Sequence, residues 1–179
     1  SKKSLKLKKK LKLNDIAFDK IDDVTIPVFS KEKVFFADND YNIHSMDIES
    51  GKINWTVQLK KERKEKLPFI GGFALNESNL VITTGLGNVY LINTLSGEIT
   101  WNKNFMVQFS RPPLIKNSNI YVVSDDNQTF SLGLENGDLI WSHSGNLEEV
   151  SIIGGSKPVI YNNILIVSYS SGEIYALNA

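Results

Sequence analysis

The sequence predicts an all-β protein built from about four repeated four-stranded antiparallel blades, and three observations carry that reading. All three tryptophans fall in one recurring slot: Ser50-Gly51-Lys52-Ile53-Asn54-Trp55 returns as Ser96-Gly97-Glu98-Ile99-Thr100-Trp101 and as Asn136-Gly137-Asp138-Leu139-Ile140-Trp141. Glycine to glycine, the copies lie 46 and 40 residues apart. Between them run short β-branched and aromatic segments bounded by turn residues, with almost no helical periodicity. A period of about 40–46 residues with four strands per unit is the signature of propeller blades.

The units follow in order. Residues 24–59, 70–105 and 110–145 each hold four candidate strands, and 157–179 holds three. First strands include Pro27-Val28-Phe29, Gly72-Phe73-Ala74-Leu75, Pro113-Leu114-Ile115 and Pro158-Val159-Ile160. Second strands are the apolar runs Val34-Phe35-Phe36, Leu80-Val81-Ile82, Ile120-Tyr121-Val122-Val123 and Ile164-Leu165-Ile166-Val167. Asp38-Asn39-Asp40, Gly85-Leu86-Gly87, Asp125-Asp126-Asn127 and Ser170-Ser171-Gly172 supply the turn into the third strand. One such sheet cannot bury both faces alone, so stacking must cover them. Trp55, Trp101 and Trp141 are expected to fill the wedge between neighbouring blades as structural residues.

Ahead of the first unit, Leu5, Leu7, Leu11 and Leu13 sit on odd positions, with Lys6, Lys8, Lys10 and Lys12 on even ones. That period of two makes residues 4–13 a strand, expected to complete the three-stranded last blade in cis or in trans. In trans, two copies would form a homodimer that completes an eight-bladed ring. The lysines suit a solvated edge that resists aggregation, with contact to anionic lipid as the sharper alternative.

Composition bounds the function. The formal net charge is zero, yet seven lysines crowd residues 1–12, leaving 13 basic against 20 acidic residues elsewhere. An acidic body speaks against a nucleic-acid partner. The absence of cysteine removes disulfides, thiolate nucleophiles and cysteine-ligated metals. No apolar run reaches the roughly 18 residues of a membrane span. The chain opens on Ser1 rather than Met, which reads as a processed or trimmed terminus.

Candidate chemistry is sparse, and no catalytic, metal or cofactor residue is assigned. His44 occupies a third-strand slot filled elsewhere by Tyr90, Phe130 and Tyr175, so packing is its expected role. His143 follows Trp141 on an outer strand. Asp38-Asn39-Asp40-Tyr41-Asn42 opens like a calcium loop but lacks the required glycine and distal glutamate. Gly85-Leu86-Gly87 is followed by a strand rather than a helix, so it cradles no phosphate.

The slot Asp/Asn-x-x-Ser/Asn-Gly-[Lys/Glu/Asp]-[Ile/Leu]-x-Trp resembles the tryptophan-docking repeat of quinoprotein (PQQ-like) propellers. Ala37-Asp38 through Trp55, Gly71-Gly72 through Trp101, Ser110-Arg111-Pro112-Pro113 and Ser151-Ile152-Ile153-Gly154-Gly155-Ser156-Lys157-Pro158 sharpen this. In order and spacing they resemble the BamB family, the β-propeller lipoproteins of the outer-membrane β-barrel assembly machinery. The likeness covers residues 5–179, about half of that family's eight-bladed ring. It implies a non-enzymatic scaffold on the periplasmic side of the bacterial outer membrane, with the central barrel-assembly protein and unfolded outer-membrane proteins as partners. It also implies docking through an interblade apolar-x-apolar-Arg segment, matched here by Val150, Ile152 and Ile153. Ile153 departs from the basic position, and a buried loop pair is the plain alternative for Val150 and Ile152. The rival readings are a fragment of a PQQ-dependent dehydrogenase and a ligand-sensing propeller domain.

Overall fold

A computed structural model describes residues 25–38, 40–59, 70–146 and 156–179. Among them every regular element is a β-strand, and the strands form four separate antiparallel sheets, each a simple meander. Blade 1 contains β1 (Val28–Ser30), β2 (Lys33–Ala37), β3 (Asn42–Asp47) and β4 (Ile53–Gln58). Blade 2 contains β5 (Ile70–Leu75), β6 (Asn79–Thr84), β7 (Asn88–Asn93) and β8 (Ile99–Asn104). Blade 3 contains β9 (Leu114–Lys116), β10 (Asn119–Val123), β11 (Gln128–Gly133) and β12 (Leu139–Ser144). Blade 4 contains β13 (Val159–Tyr161), β14 (Ile164–Ser168) and β15 (Ile174–Asn178). The all-β, half-propeller expectation therefore holds. The expected strand at 4–13 lies outside the described residues.

Stacking explains the strand sequences. In blade 2, Leu80 to Thr84 and Asn88 to Ile92 are buried without interruption, because both faces of the sheet meet a neighbour. Outer strands β4, β8 and β12 alternate between exposed and half-buried instead. Three apolar clusters fill the three interfaces. Phe35, Ile43 and Leu59 meet Phe73, Ile82 and Ile92 between blades 1 and 2. Val81, Val89 and Leu91 meet Ile120, Val122 and Leu132 between blades 2 and 3. Tyr121 and Val123 meet Leu165 and Val167 between blades 3 and 4. At about 25 cal/mol per Å² of buried apolar surface, these interfaces are the main favourable term holding the sheets together.

Two local features recur. The turn before each third strand places Tyr41, Gly87, Asn127 and Gly172 at positive φ, the same slot in all four blades. A β-bulge also recurs immediately before each tryptophan. Ser45 pairs Trp55 while Met46 pairs Ile53, and the same slip occurs at Leu91/Ile92 and Ser131/Leu132. Asn54, Thr100 and Ile140 are thus the extra residues, and each bulge re-aims the indole that follows.

The turns sort to two ends of the stack. At one end lie the turns entering the third strands and the crossovers between blades, joined where Leu59 N–H donates to Tyr41 O, Phe105 N–H to Gly87 O and Gly145 N–H to Asn127 O, each at 2.9 Å. We call this the crossover end. At the other, Ile48, Thr94 and Leu134 donate to Glu32, Ser78 and Ser118, tying the remaining two turns of blades 1 to 3, and Ala179 after the last strand donates to Asn163 in the first turn of blade 4.

Candidate interaction surface

The tryptophan slot acts across interfaces. Trp55 Nε1 donates to Thr94 O of the next blade at 3.1 Å, and Trp101 Nε1 donates to Leu134 O at 3.0 Å. Each ring lies on a glycine of the turn it reaches. A Cβ at Gly97 would come within 2.7 Å of the Trp55 ring, and one at Gly137 within 2.8 Å of the Trp101 ring. Those glycines have φ of 76° and 69°, a left-handed conformation open to glycine at little cost. Trp141 occupies the same slot in blade 3. Its ring centroid stands 6.1 Å from Tyr121, as Trp55 stands 5.8 Å from Phe35.

The two histidines lie in unrelated surroundings. His44 is buried and stacks on Phe36, in keeping with a packing slot. It also spans two polar partners: Nε2 meets Asp38 Oδ2 at 3.1 Å and Nδ1 meets Thr56 Oγ1 at 2.9 Å. Burial alone would raise the Asp38 carboxyl. Hydrogen bonds from the Asn42 side chain and backbone, from His44 and from Asp40 N–H outweigh it and hold the group below the usual carboxylate range. The carboxylate oxygens resembling the start of a calcium loop are therefore engaged by their own turn. His143 instead faces Tyr169, whose hydroxyl lies 3.1 Å from Nδ1 and 2.7 Å from Thr129 Oγ1. Among the described residues, no three His, Asp or Glu side chains are grouped to hold a metal ion.

Reading the sequence did not anticipate the role of Arg111. It is 2% exposed, the largest fully buried side chain among the described residues. Its carbonyl accepts from Thr83 Oγ1 in blade 2 at 2.8 Å, and its Nη1 donates to Ser168 O in blade 4 at 2.7 Å. Burial lowers the guanidinium pKa, and the charge of Asp125 opposes that shift. This one residue thus ties blade 2 through its carbonyl and blade 4 through its guanidinium, from the crossover between blades 2 and 3.

Two surfaces remain available to partners. The outward face of blade 4 carries Val159, Tyr161, Ile164, Ile166 and Ile174, all exposed, with Ile174 at 74% and Tyr161 at 72%. Cross-strand pairs Val159–Ile166, Tyr161–Ile164 and Ser168–Ile174 put them on one sheet face, opposite the buried Leu165 and Val167. In blade 3 the corresponding Tyr121, Thr129 and Ser131 are buried. The second surface is the crossover end. Val150, Ile152 and Ile153 lie outside the described residues, but their crossover begins from a fixed base. Gly145 N–H bonds to Asn127 O, and Asn146 Nδ2 donates to Glu173 Oε1 at 2.6 Å.

Docked indoles, repeated bulges and stacked meanders define a propeller of the PQQ-repeat class. Within that class, a family model described as outer membrane protein assembly factor BamB matches residues 39–179, and the chain belongs to that family. An uncharacterized protein of Rickettsia conorii is 29% identical over 94% of this chain and 41% of its own length. The outer membrane protein assembly factor BamB of Yersinia pestis is 21% identical over 84% of this chain and 40% of its length. The crystal structure of BamB from Moraxella catarrhalis superposes with a TM-score of 0.71 at 18% identity, covering 86% of this chain and 44% of that one. The chain therefore spans less than half the length of the relatives it matches.

Proposed function

We propose that this protein is a non-enzymatic scaffold of the outer-membrane β-barrel assembly machinery. It acts on the periplasmic side of the outer membrane, where it binds the periplasmic domains of the central barrel-assembly protein and receives unfolded outer-membrane proteins. The family match over residues 39–179 carries this reading. The chemistry of the surface agrees with it: the half-buried Asp38 and the buried His44 and Arg111 bond within the fold, while apolar side chains face outward. Val150 and Ile152, with Ile153, provide the docking segment. Titration calorimetry of the 179-residue chain against purified periplasmic domains of the barrel-assembly protein should show saturable binding. Absence of heat at tens of micromolar of each protein would overturn the proposal.

The outward face of blade 4 gives the same scaffold a means of self-association. An exposed apolar sheet face of this kind marks an interaction site. A second copy covers it in our reading, giving a homodimer. Light scattering of the 179-residue chain should return twice the single-chain mass, and Ile166→Lys combined with Ile174→Lys should return the single-chain mass. A wild-type mass of one chain under the same conditions would remove the homodimer.

A further inference from the structure

We infer that Asn136 is a modification site. Its side-chain amide is converted by water to a carboxylic acid through attack of the Gly137 nitrogen, at a rate set by opening of the seam between blades 2 and 3. The inference is independent of the scaffold reading above.

Asn136-Gly137 is the one Asn-Gly pair in the chain. It stands in the turn on which the Trp101 ring lies, where the first two blades carry Ser50-Gly51 and Ser96-Gly97. The turn asks nothing of asparagine that serine does not supply. Asn136 Oδ1 accepts from Asp138 N–H at 3.1 Å, as Ser96 Oγ accepts from Glu98 N–H at 3.2 Å and Ser50 Oγ from Lys52 N–H at 3.3 Å. What asparagine adds is an electrophile. Its Cγ can close a five-membered ring with the next backbone nitrogen, and a following glycine has no side chain to shield that nitrogen.

In the reaction, Gly137 N gives up its proton to hydroxide and bonds to Asn136 Cγ. The Cγ–Nδ2 bond breaks, the side-chain nitrogen leaves as ammonia, and a cyclic imide remains. Water then opens the ring at either carbonyl. Cleavage at Cγ leaves an ordinary aspartyl residue. Cleavage at the Asn136 carbonyl carbon leaves an isoaspartyl residue, whose main chain runs through Cγ and is one methylene longer. One water is consumed and one ammonia released, with no oxidant or reductant.

The folded turn holds the reactants apart. Gly137 N–H donates to Gly133 O at 2.9 Å, and Gly133 N–H donates to Asp138 O at 2.8 Å. Asn136 Nδ2 donates to Asp138 Oδ2 at 2.6 Å, which ties the amide to the far side of Gly137. Asn136 is exposed, but Gly137 is buried beneath the indole of the neighbouring blade. Trp101 Nε1 fastens that cover to Leu134 O in the same turn at 3.0 Å. Gly137 N is freed when the turn opens, and the turn opens when the indole lifts, which is a local opening of the seam. The product does not rebuild the seat. A carboxylate at position 136 falls between Glu135 and Asp138 and lacks the amide donor that Asp138 Oδ2 uses. An added methylene also disrupts a turn closed by two short backbone bonds.

The test keeps the wild-type chain at mildly alkaline pH, folded or in urea, and follows its peptides by mass spectrometry. Trp101→Ala, Trp101→Phe and Asn136→Ser are treated alongside. In urea, Asn136 should be the first asparagine to gain the mass of the amide-to-acid exchange. In the folded chain its conversion should be slower by about tenfold or more. Folded Trp101→Ala should convert about tenfold or more faster than folded wild type, because the opened turn becomes more populated as the seam weakens. Trp101→Phe keeps a ring on Gly137 but lacks the donor to Leu134 O. Its rate should fall between the two, and it carries the test if the alanine variant does not fold. Asn136→Ser should keep its unfolding midpoint through the incubation, while the wild-type midpoint falls as Asn136 converts. An Asn136 peptide left unconverted in urea while other asparagines react would remove the site. Folded wild type and the folded Trp101 variants converting within about threefold of one another would remove the control by the seam.

Discussion

Replacing Trp101 with alanine should lower the unfolding free energy by about 3–5 kcal/mol, read from urea denaturation followed by circular dichroism. The ring packs on the cluster between blades 2 and 3, and its N–H supplies a hydrogen bond to Leu134 O across that interface. Removal opens a cavity and leaves that carbonyl without its indole donor. The same contact can be probed from the opposite side. Gly137→Ala adds one methyl group 2.8 Å from the ring at a φ of 69° and should cost about 1–3 kcal/mol by overpacking and backbone strain. If Trp101→Ala cost less than about 1 kcal/mol, the indole would be decorating the interface rather than holding it.

Arg111→Met should be comparably severe, at about 3–5 kcal/mol, because breaking a buried charge pair leaves the surviving partner uncompensated. The survivor is Asp125, which is itself buried and accepts from Ser110 Oγ. The variant also deprives Ser168 O of its donor and so loosens blade 4 from the crossover between blades 2 and 3. Lysine is a poor substitute, since a compact ammonium on a flexible stem does not reproduce the planar guanidinium that donates to Ser168 O. Combining Arg111→Met with Asp125→Asn should recover a substantial part of the loss. Stabilities of the single and double variants that simply add would show that the two side chains do not act as a pair.

These two residues also show what could be read from the sequence. Trp101 was legible because its slot repeats: three indoles each following a glycine turn can be aligned without coordinates. The strands were legible for the same reason, since β-branched runs and turn residues recur at matching offsets. The bulges at Asn54, Thr100 and Ile140 were not, because these three share no chemistry and their extra residue shows only in pairing. Arg111 was hidden by its neighbours. A cation beside Pro112 and Pro113 looks like a solvated loop, and its acceptor at Ser168 lies 57 residues away. His44 was half legible. Its packing slot followed from alignment with Tyr90, Phe130 and Tyr175, but its bonds to Asp38 and Thr56 depend on the hairpin's three-dimensional register.

Among the described residues, no strand pairs with a strand of another sheet. Every ladder closes within about 40 residues of chain, and the sheets are coupled only by side chains, turns and crossovers. An architecture of this kind can lengthen or shorten by whole modules, since gaining or losing one alters a single seam and cuts no backbone pairing. Relatives of quite different length can then share the same seam chemistry, with an indole seated on a glycine wherever two modules meet.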